Sequence, residues 1–163
     1  MNEGDLSLDI NVLRPRSVEK KTLSGYFMPP RHPFILFDPQ KCTGCGTCEM
    51  ICSARNTNRV APLSASVQVL ADERSGKNLT ILCQHCRQPL CIPACPTRAI
   101  EKGSDGIVRI NKLFCTDCGL CTMACPAAAP LKDPDSREIH KCDLCEGDPL
   151  CVKHCPEKAL IFT

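Results

Sequence analysis

The sequence predicts a small α+β fold in which short helices and β-hairpins surround a thin core. Aromatic residues make up 4% of the 163 residues and Trp is absent, although large rings usually supply much of the buried area. Fourteen prolines and nine glycines favour many turns and short elements. Sixteen cysteines are also present. Because a chain with so little core usually needs cross-links or bound metal, we expect the cysteines to supply them.

Charge and composition exclude several function classes. The formal net charge is +2 and 23% of residues are charged, so no basic surplus indicates a nucleic-acid partner. The sequence has neither a G-x-G-x-x-G dinucleotide turn nor a phosphate loop, and no apolar run approaches the roughly 20 residues of a membrane helix. No secretion signal is recognisable, so we expect a cytoplasmic location without direct membrane insertion. In that reducing compartment, clustered cysteines favour metal over disulfides.

The cysteines form four groups of four. Groups one and three have the spacing C-x2-C-x2-C-x3-C, and groups two and four have a longer middle gap. Proline follows the last cysteine of groups two, three and four, whereas Ser53 follows group one. The groups are Cys42, Cys45, Cys48 and Cys52; Cys83, Cys86, Cys91 and Cys95; Cys115, Cys118, Cys121 and Cys125; and Cys142, Cys145, Cys151 and Cys155.

This spacing is typical of [4Fe–4S] binding, in which three thiolates hold one cluster and the fourth completes another. Small residues such as Gly44 and Gly119 let backbone amides approach the cluster. We expect each fourth cysteine to begin a helix, with the following proline in its first turn. Zinc also takes four thiolates, but it requires neither a third cysteine at this spacing nor the proline. We therefore predict four [4Fe–4S] clusters, with a zinc site or a disulfide scaffold as alternatives.

The order of the groups predicts two interleaved modules of the bacterial-ferredoxin type. Residues 83–125 form one complete unit, with a hairpin between groups two and three. The apolar runs 34–37 and 159–162 are expected to pair as antiparallel strands. Groups one and four would then form a second unit, with the first inserted between its halves.

The ligand sets follow from these modules, since each fourth cysteine is expected to complete the partner group's cluster. The predicted sets are Cys42, Cys45, Cys48 and Cys155 for cluster 1; Cys142, Cys145, Cys151 and Cys52 for cluster 2; Cys83, Cys86, Cys91 and Cys125 for cluster 3; and Cys115, Cys118, Cys121 and Cys95 for cluster 4. With sixteen thiolates available, we expect His85 and His154 to be polar neighbours rather than ligands. Nearby cations, which would offset cluster charge, are Lys41, Arg87, Arg98, Lys141 and Lys153.

The remaining segments are assigned by composition. A second hairpin is expected at 66–70 and 78–82, and the proline-containing link 126–141 is expected to be a surface loop. The alternating residues of the N-terminal arm, from Leu6 to Val12, indicate either a tail or a strand that adds to a partner's sheet. The domain boundaries are 1–33 for the arm and 34–163 for the four-cluster domain, with module A at 34–60 plus 138–163 and module B at 79–126.

The four motifs, Cys42–Cys52, Cys83–Pro96, Cys115–Pro126 and Cys142–Pro156, resemble those of the four-cluster iron–sulfur subunits of molybdenum and tungsten oxidoreductases. DMSO reductase and formate dehydrogenase have such subunits. The resemblance covers residues 34–163. Because the long insertions and the membrane-contacting extension of larger members are missing, the chain is more similar to small subunits that accompany tungsten enzymes of the aldehyde:ferredoxin oxidoreductase family. Aldehyde oxidoreductase and class II benzoyl-CoA reductase are examples.

The resemblance implies a non-catalytic electron-transfer subunit that carries single electrons through four [4Fe–4S] clusters. Its expected partners are a tungsten- or molybdenum-pterin catalytic subunit and, as second redox partner, a flavoprotein or a ferredoxin. Two other interpretations remain open at this point, namely a freely diffusing polyferredoxin and a zinc-stabilised interaction module.

Overall fold

The computed structural model describes residues 32–72, 74 and 76–163. The expectations for Leu6 to Val12, and for nearly all of the N-terminal arm, therefore lie outside the described residues. Within the described ranges, eight short strands, three α-helices and two 3₁₀ helices alternate along the chain. These short helices and small antiparallel sheets agree with an α+β fold. No helix in this part of the chain is long and apolar enough to span a bilayer.

The strands form four separate antiparallel pairs. The pairs are β1 (Ile35–Phe37) with β8 (Leu160–Phe162), β2 (Val67–Asp72) with β3 (Lys77–Leu82), β4 (Ile100–Lys102) with β5 (Val108–Ile110), and β6 (Leu131–Lys132) with β7 (Ile139–His140). The α-helices are α1 (Thr47–Thr57), α2 (Leu120–Met123) and α3 (Leu150–Lys153), and the 3₁₀ helices are Pro62–Ser64 and Leu144–Gly147.

The pairing of β1 with β8 joins the beginning and the end of the described chain. Leu36 lies opposite Ile161 in this ladder, and the backbone N–H of Asp38 donates to the carbonyl of Ala159 at 2.8 Å. Helices α1 and α3 also contact each other. The predicted antiparallel pairing of the two apolar runs is confirmed, and it brings the first and fourth cysteine groups together.

Both predicted hairpins are confirmed. In the β4–β5 hairpin, the Asp105 carboxylate accepts the N–H of Ile107 at 2.9 Å and pairs with Arg109 at 2.6 Å. In the β2–β3 hairpin, the N–H of Gly76 donates to the carbonyl of Asp72 at 2.9 Å. Gly76 has a φ of 65°, which a residue without Cβ adopts at little cost.

The expectation of a surface loop at 126–141 is wrong. This segment contains the β6–β7 hairpin, and Pro130 and Asp133 within it are buried. The Asp133 carboxylate accepts the N–H groups of Asp135 and Ser136, each at 2.8 Å, and so closes the turn between the strands. Proline and polar residues suggested a loop, but local hydrogen bonds to Asp133 satisfy the backbone and allow the segment to fold inwards.

The core consists of two small groups of buried side chains that include cysteines. One comprises Ile35, Val67, Leu82, Ile107, Leu144, Cys151 and Leu160, and the other comprises Cys91, Ile100, Val108, Cys121 and Ile139. The predicted thin core is therefore present, with no Phe or Tyr fully buried among the described residues.

The two faces of β1 provide a test of this core. Ile35 is 1% exposed, whereas its neighbour Leu36 is 47% exposed. We expect Ile35→Ala to lower the free energy of unfolding by about 2–5 kcal/mol, because it leaves a cavity under the β1–β8 pair. Leu36→Ala is the matched control and should change it by about 0.5 kcal/mol or less. The measurement is anaerobic guanidinium unfolding followed by circular dichroism, and equal effects of the two substitutions would contradict the assignment.

Candidate iron–sulfur sites

The sixteen cysteines are all free thiols, so none is joined in a disulfide. They line four separate cavities, and each cavity has three cysteines from one group and the last cysteine of another. Site 1 is lined by Cys42, Cys45, Cys48 and Cys155; site 2 by Cys142, Cys145, Cys151 and Cys52; site 3 by Cys83, Cys86, Cys91 and Cys125; and site 4 by Cys115, Cys118, Cys121 and Cys95. Every cysteine that the sequence predicts as a ligand is therefore at one of four cavities.

The last cysteine of group one reaches site 2 from the middle of a helix. Cys52 is the sixth of the eleven residues of α1, while Cys48, one turn earlier, lines site 1. Residues four apart lie on the same side of a helix, so α1 presents cysteines to two neighbouring sites. Ser53 takes the place of the proline in the other groups, and its hydroxyl accepts the N–H of Ala61 at 3.1 Å.

The expectation that each fourth cysteine begins a helix is wrong. In groups two, three and four this cysteine begins a tight turn, with proline at the second position, where its fixed φ is favourable. The N–H of the fourth turn residue donates to the cysteine carbonyl at 3.0–3.2 Å. That fourth residue has positive φ in all three turns: Arg98 at 55°, Ala128 at 48° and Lys158 at 50°.

Helices instead hold the third cysteine of groups one, three and four, and Cys48 of group one lies in α1. Cys121 lies in α2 and Cys151 in α3, and both side chains are buried. Gly119 precedes α2 with a φ of 80°, and Gly46 precedes α1 with a φ of 72°. Both positions require left-handed backbone, which is the physical reason for glycine between these cysteines.

In group four, the short segment Leu144–Gly147, which spans Cys145 and the start of the longer middle gap, is a left-handed turn and not a regular 3₁₀ helix. Leu144, Cys145 and Glu146 have consecutive φ values of 56°, 50° and 63°, and such backbone costs non-glycine residues roughly 1–2 kcal/mol each. Asp143 supports the turn because its carboxylate accepts the N–H of Cys145 at 2.8 Å. Leu144 is fully buried in the core, which anchors the turn on its other side.

Backbone amides donate hydrogen bonds to several of the cysteine sulfurs. The donors and acceptors are Ser66 to Cys52 at 3.3 Å, His85 to Cys83 at 3.4 Å, Ala99 to Cys95 at 3.2 Å, Leu144 to Cys142 at 3.4 Å, and Ala159 to Cys155 at 3.3 Å. Such bonds stabilise a thiolate relative to a thiol. These backbone groups are therefore suited to negatively charged sulfur.

Burial has the opposite effect on the innermost thiols. Desolvation raises the pKa of Cys48 to about 11 and that of Cys151 to about 12, and it raises the pKa of Cys142 further. Coulombic repulsion from neighbouring thiolates adds to the rise for Cys142 and Cys151. At the exposed edge of site 1, a hydrogen bond with Thr47 lowers the pKa of Cys45. The buried sulfurs therefore need a positively charged metal to hold them as thiolates.

The cavities differ in shape from a single-ion site. Within the described ranges, no group of three or more His, Cys, Asp or Glu side chains is placed to hold one metal ion. The four cysteines of each set line the wall of a cavity, which measures about 140 Å³ at site 3 and about 10–20 Å³ at the other three sites. A polynuclear group fits this arrangement, since its separate iron atoms each bind one thiolate.

Two residues near the sites carry roles that sequence patterns did not indicate. Asn78 in β3 donates its side-chain amide N–H to the carbonyl of Cys42 at 2.9 Å, tying the β2–β3 hairpin to site 1, and a Cβ at Gly44 would lie 3.3 Å from this amide. Asp117, between two cysteines of group three, accepts the N–H of Ile139 at 2.6 Å and so attaches β7. Both bonds join residues more than 20 positions apart, and no local spacing signals them.

His85 and His154 differ in burial. His85 is fully buried at site 3, and its Nδ1 accepts the N–H of Val108 at 3.1 Å. Burial, assisted by the charge of Lys141, lowers the pKa of His85 to about 3, so the ring is neutral at physiological pH. His154 is exposed. Neither ring lies in a set of four cysteines in place of a thiolate.

Two family matches cover the cysteine-containing part of the chain. The 4Fe-4S dicluster domain family matches residues 75–163, and the 4Fe-4S binding domain family matches residues 34–57. The first match includes more than half of the chain, and together the two include all sixteen cysteines.

Two relatives are components of reductases. The chain is 36% identical over 145 residues to the B component of anaerobic dimethyl sulfoxide reductase from Haemophilus influenzae, with 77% of this chain and 71% of that protein covered. It is 32% identical over 141 residues to the thiosulfate reductase electron transfer subunit PhsB of Salmonella typhi, with 78% and 73% covered. A further relative, 36% identical, is much longer, and the chain spans 29% of its length.

Among solved structures, a component of the active site complex BamBC of benzoyl coenzyme A reductase with benzoyl-CoA is similar at 29% identity and a TM-score of 0.49. The similarity covers 80% of this chain and 78% of that one. From the family matches and the sequence relatives, the chain belongs to the 4Fe-4S dicluster family, binds [4Fe–4S] clusters, and is related to iron–sulfur electron-transfer subunits of oxidoreductases.

Proposed function

We propose that the chain binds four [4Fe–4S] clusters, one at each of sites 1 to 4, and carries single electrons to or from the catalytic subunit of a tungsten or molybdenum oxidoreductase. The observation that carries this proposal is that sixteen cysteines line four cavities in sets of four. The proposed ligands of each cluster are the four cysteines of its site. When bound, such clusters accept and release one electron at a time.

The chain's own residues perform three tasks in this proposal. Cysteine sulfurs hold the clusters, backbone amides such as those of Ala99 and Ala159 donate to those sulfurs, and buried apolar side chains exclude water. A single zinc ion would need four sulfurs about 2.3 Å from one point. The spread of each cysteine set around a cavity favours the cluster over zinc and over a zinc-stabilised interaction module.

We further propose the interleaved arrangement of two ferredoxin-like modules. Module A would consist of 34–60 and 138–163, and its support is the β1–β8 pairing. Module B would be 79–126, inserted between the halves, and its support is the β4–β5 hairpin. The two modules would contact each other through β7, where Lys112 donates to the carbonyl of Ile139 at 2.7 Å.

The proposed partner is a pterin-containing catalytic subunit, with a flavoprotein or a ferredoxin as the second redox partner in the cytoplasm. The relatives support a multi-subunit role, because one is a component of a dimethyl sulfoxide reductase and another is the electron transfer subunit of a thiosulfate reductase. The chain itself would be non-catalytic, since all four cysteines of each set are available to occupy the irons. A freely diffusing polyferredoxin is the alternative.

Native anaerobic purification tests cofactor and partner together. We expect about four iron and four sulfide for each of the four sites, and elution by size exclusion well above the 17.8 kDa of the single chain together with a second polypeptide. A lone species with full iron content would support the diffusing carrier. Zinc in place of iron, or colourless protein, would contradict the cluster assignment itself.

Two matched substitutions test the crossed ligand sets. Cys155→Ala should expose the other three cysteines of site 1 to alkylation while those of site 2 stay protected, because the clusters shield their own ligands. Cys52→Ala should give the reverse pattern. Anaerobic alkylation followed by mass spectrometry reads out each cysteine separately. If Cys52→Ala instead exposes Cys42, Cys45 and Cys48, each group binds its own cluster and the crossing is refuted.

Cluster removal should unfold the chain. The core contains buried cysteines beside a few aliphatic side chains, and metal binding supplies folding free energy in such small domains. We expect treatment with chelator and oxidant to abolish most of the far-UV circular dichroism as the visible absorbance is lost. A cluster-free chain that kept its dichroism and a cooperative thermal transition would refute this coupling.

A further inference from the structure

Lys141 lies where sites 2 and 3 meet. Its ammonium donates to Cys83 Sγ at 2.9 Å, to the carbonyl of Val108 at 2.7 Å and to the carbonyl of Cys142 at 3.2 Å. Cys83 lines site 3 and Cys142 lines site 2. An ammonium group has three donors, so each has a defined acceptor and the side chain is held at both sites.

The bond to Cys83 differs in kind from the other hydrogen bonds to sulfur described above. Those come from backbone amides at 3.2–3.4 Å, whereas this one has a charged donor at 2.9 Å in a part-buried setting. Charge-assisted bonds are shorter and stronger than neutral ones. A positive charge is screened less there than at the surface.

Three other polar or charged side chains near site 3 make their hydrogen bonds to groups other than sulfur. Arg109 is paired with the Asp105 carboxylate at 2.6 Å. Lys102 donates to the carbonyls of Cys86 and Arg87 at 2.9 and 3.4 Å, in an exposed setting. The Nδ1 of His85 accepts the N–H of Val108 at 3.1 Å. Of these groups, Lys141 is the cation bonded directly to a proposed ligand sulfur.

We infer that Lys141 raises the reduction potential of the cluster at site 3 and fixes that site against site 2. This inference rests on the proposed function. Reduction adds one electron, delivered by the redox partner, and makes the cluster with its thiolates more negative by one charge. The ammonium stabilises the reduced state more than the oxidised state, and no bond or proton is exchanged. Hydrogen bonds to sulfur and local charge are known determinants of cluster potential.

Substitutions at two lysines separate this effect from general loss of charge. Lys141→Met keeps an unbranched side chain one atom shorter but removes its charge and donors, whereas Lys141→Arg keeps the charge. Lys102→Met is the matched control, because it removes a unit charge beside the same cavity without touching a sulfur. Each is made in the full chain, purified anaerobically with whatever partner it retains. The measurement is a potentiometric titration followed by electron paramagnetic resonance.

We expect Lys141→Met to make reduction of one of the four clusters at least tenfold less favourable, which is about 59 mV for a one-electron couple. Lys141→Arg should stay within threefold of wild type, and Lys102→Met should shift that cluster by less than a third of the Lys141→Met change in potential. Four unchanged potentials in Lys141→Met, or an equal shift in Lys102→Met, would overturn the inference.

Lys141→Gln covers the case in which the Met variant fails to hold iron at site 3, since it keeps a neutral donor. The reduction potential of the cluster at site 3 should also fall in Lys141→Gln. If the Met and Gln variants both lose the iron of site 3 while Lys141→Arg keeps it, the result supports a role for the positive charge of Lys141 at this cluster. Loss of that iron in Lys141→Arg as well would overturn the inference. Iron and sulfide analysis of the wild type is read first. If the wild type contains clusters but the Lys141 substitutions leave their potentials unchanged, this inference alone is rejected. If the wild type contains no clusters, the proposed function is rejected.

Discussion

Each cysteine cavity draws three side chains from one segment and a fourth from another segment of the sequence, and the remaining structure depends on this crossing. Cys52 and Cys145, for example, are 93 positions apart and line the same site. Strands of two to six residues and α-helices of four to eleven residues bury too little apolar surface to hold such segments together. The segments that share a cavity therefore require a bound group that joins them. The short strand pairs then set the direction in which each segment approaches its cavity.

The cavities balance two opposing requirements. Burial of Cys142 and Cys151 raises the pKa of their thiols, so these sulfurs are unfavourable as thiolates when no metal is present. Backbone N–H groups and the ammonium of Lys141 favour the thiolate instead. Two of these donors, the amides of Ala99 and Ala159, each follow a left-handed turn residue, Arg98 and Lys158, which aims the amide at sulfur. Left-handed backbone in these turns thus directs N–H groups towards the sulfurs, where they stabilise the thiolate form.

Much of this fold could be predicted because its signals are local. Cysteine spacing, β-branched runs and turn residues predicted the three hairpin or strand pairings that join 34–37 with 159–162, 66–70 with 78–82, and the segments flanking Gly103. The β6–β7 hairpin was missed because its stability comes from Asp133 and from Asp117, 22 residues before Ile139. The helix expected at each fourth cysteine was wrong because proline also suits the second position of a tight turn. A tight turn and the first turn of a helix differ here only in which later backbone N–H donates to the cysteine carbonyl.

The shared segments also give the sites an order. Helix α1 presents Cys48 to site 1 and Cys52 to site 2, and the turn of residues 91–95 likewise connects site 3 with site 4. Lys141 joins site 2 to site 3. Consecutive sites are thus linked 1–2–3–4 by covalent or hydrogen-bonded structure, with sites 1 and 4 at the ends of the series.

Exposure along this series differs from site to site. Both end sites have an exposed cysteine, Cys45 and Cys118, and site 3 also reaches the surface at Cys86, whereas no cysteine of site 2 is exposed. An electron carrier that serves two partners needs surface access at two separated points and a protected connection between them. Site 2, the most enclosed of the four by its cysteines, lies between site 1 and sites 3 and 4 in this series, so the proposed electron path would run through a protected site between surface-accessible ones.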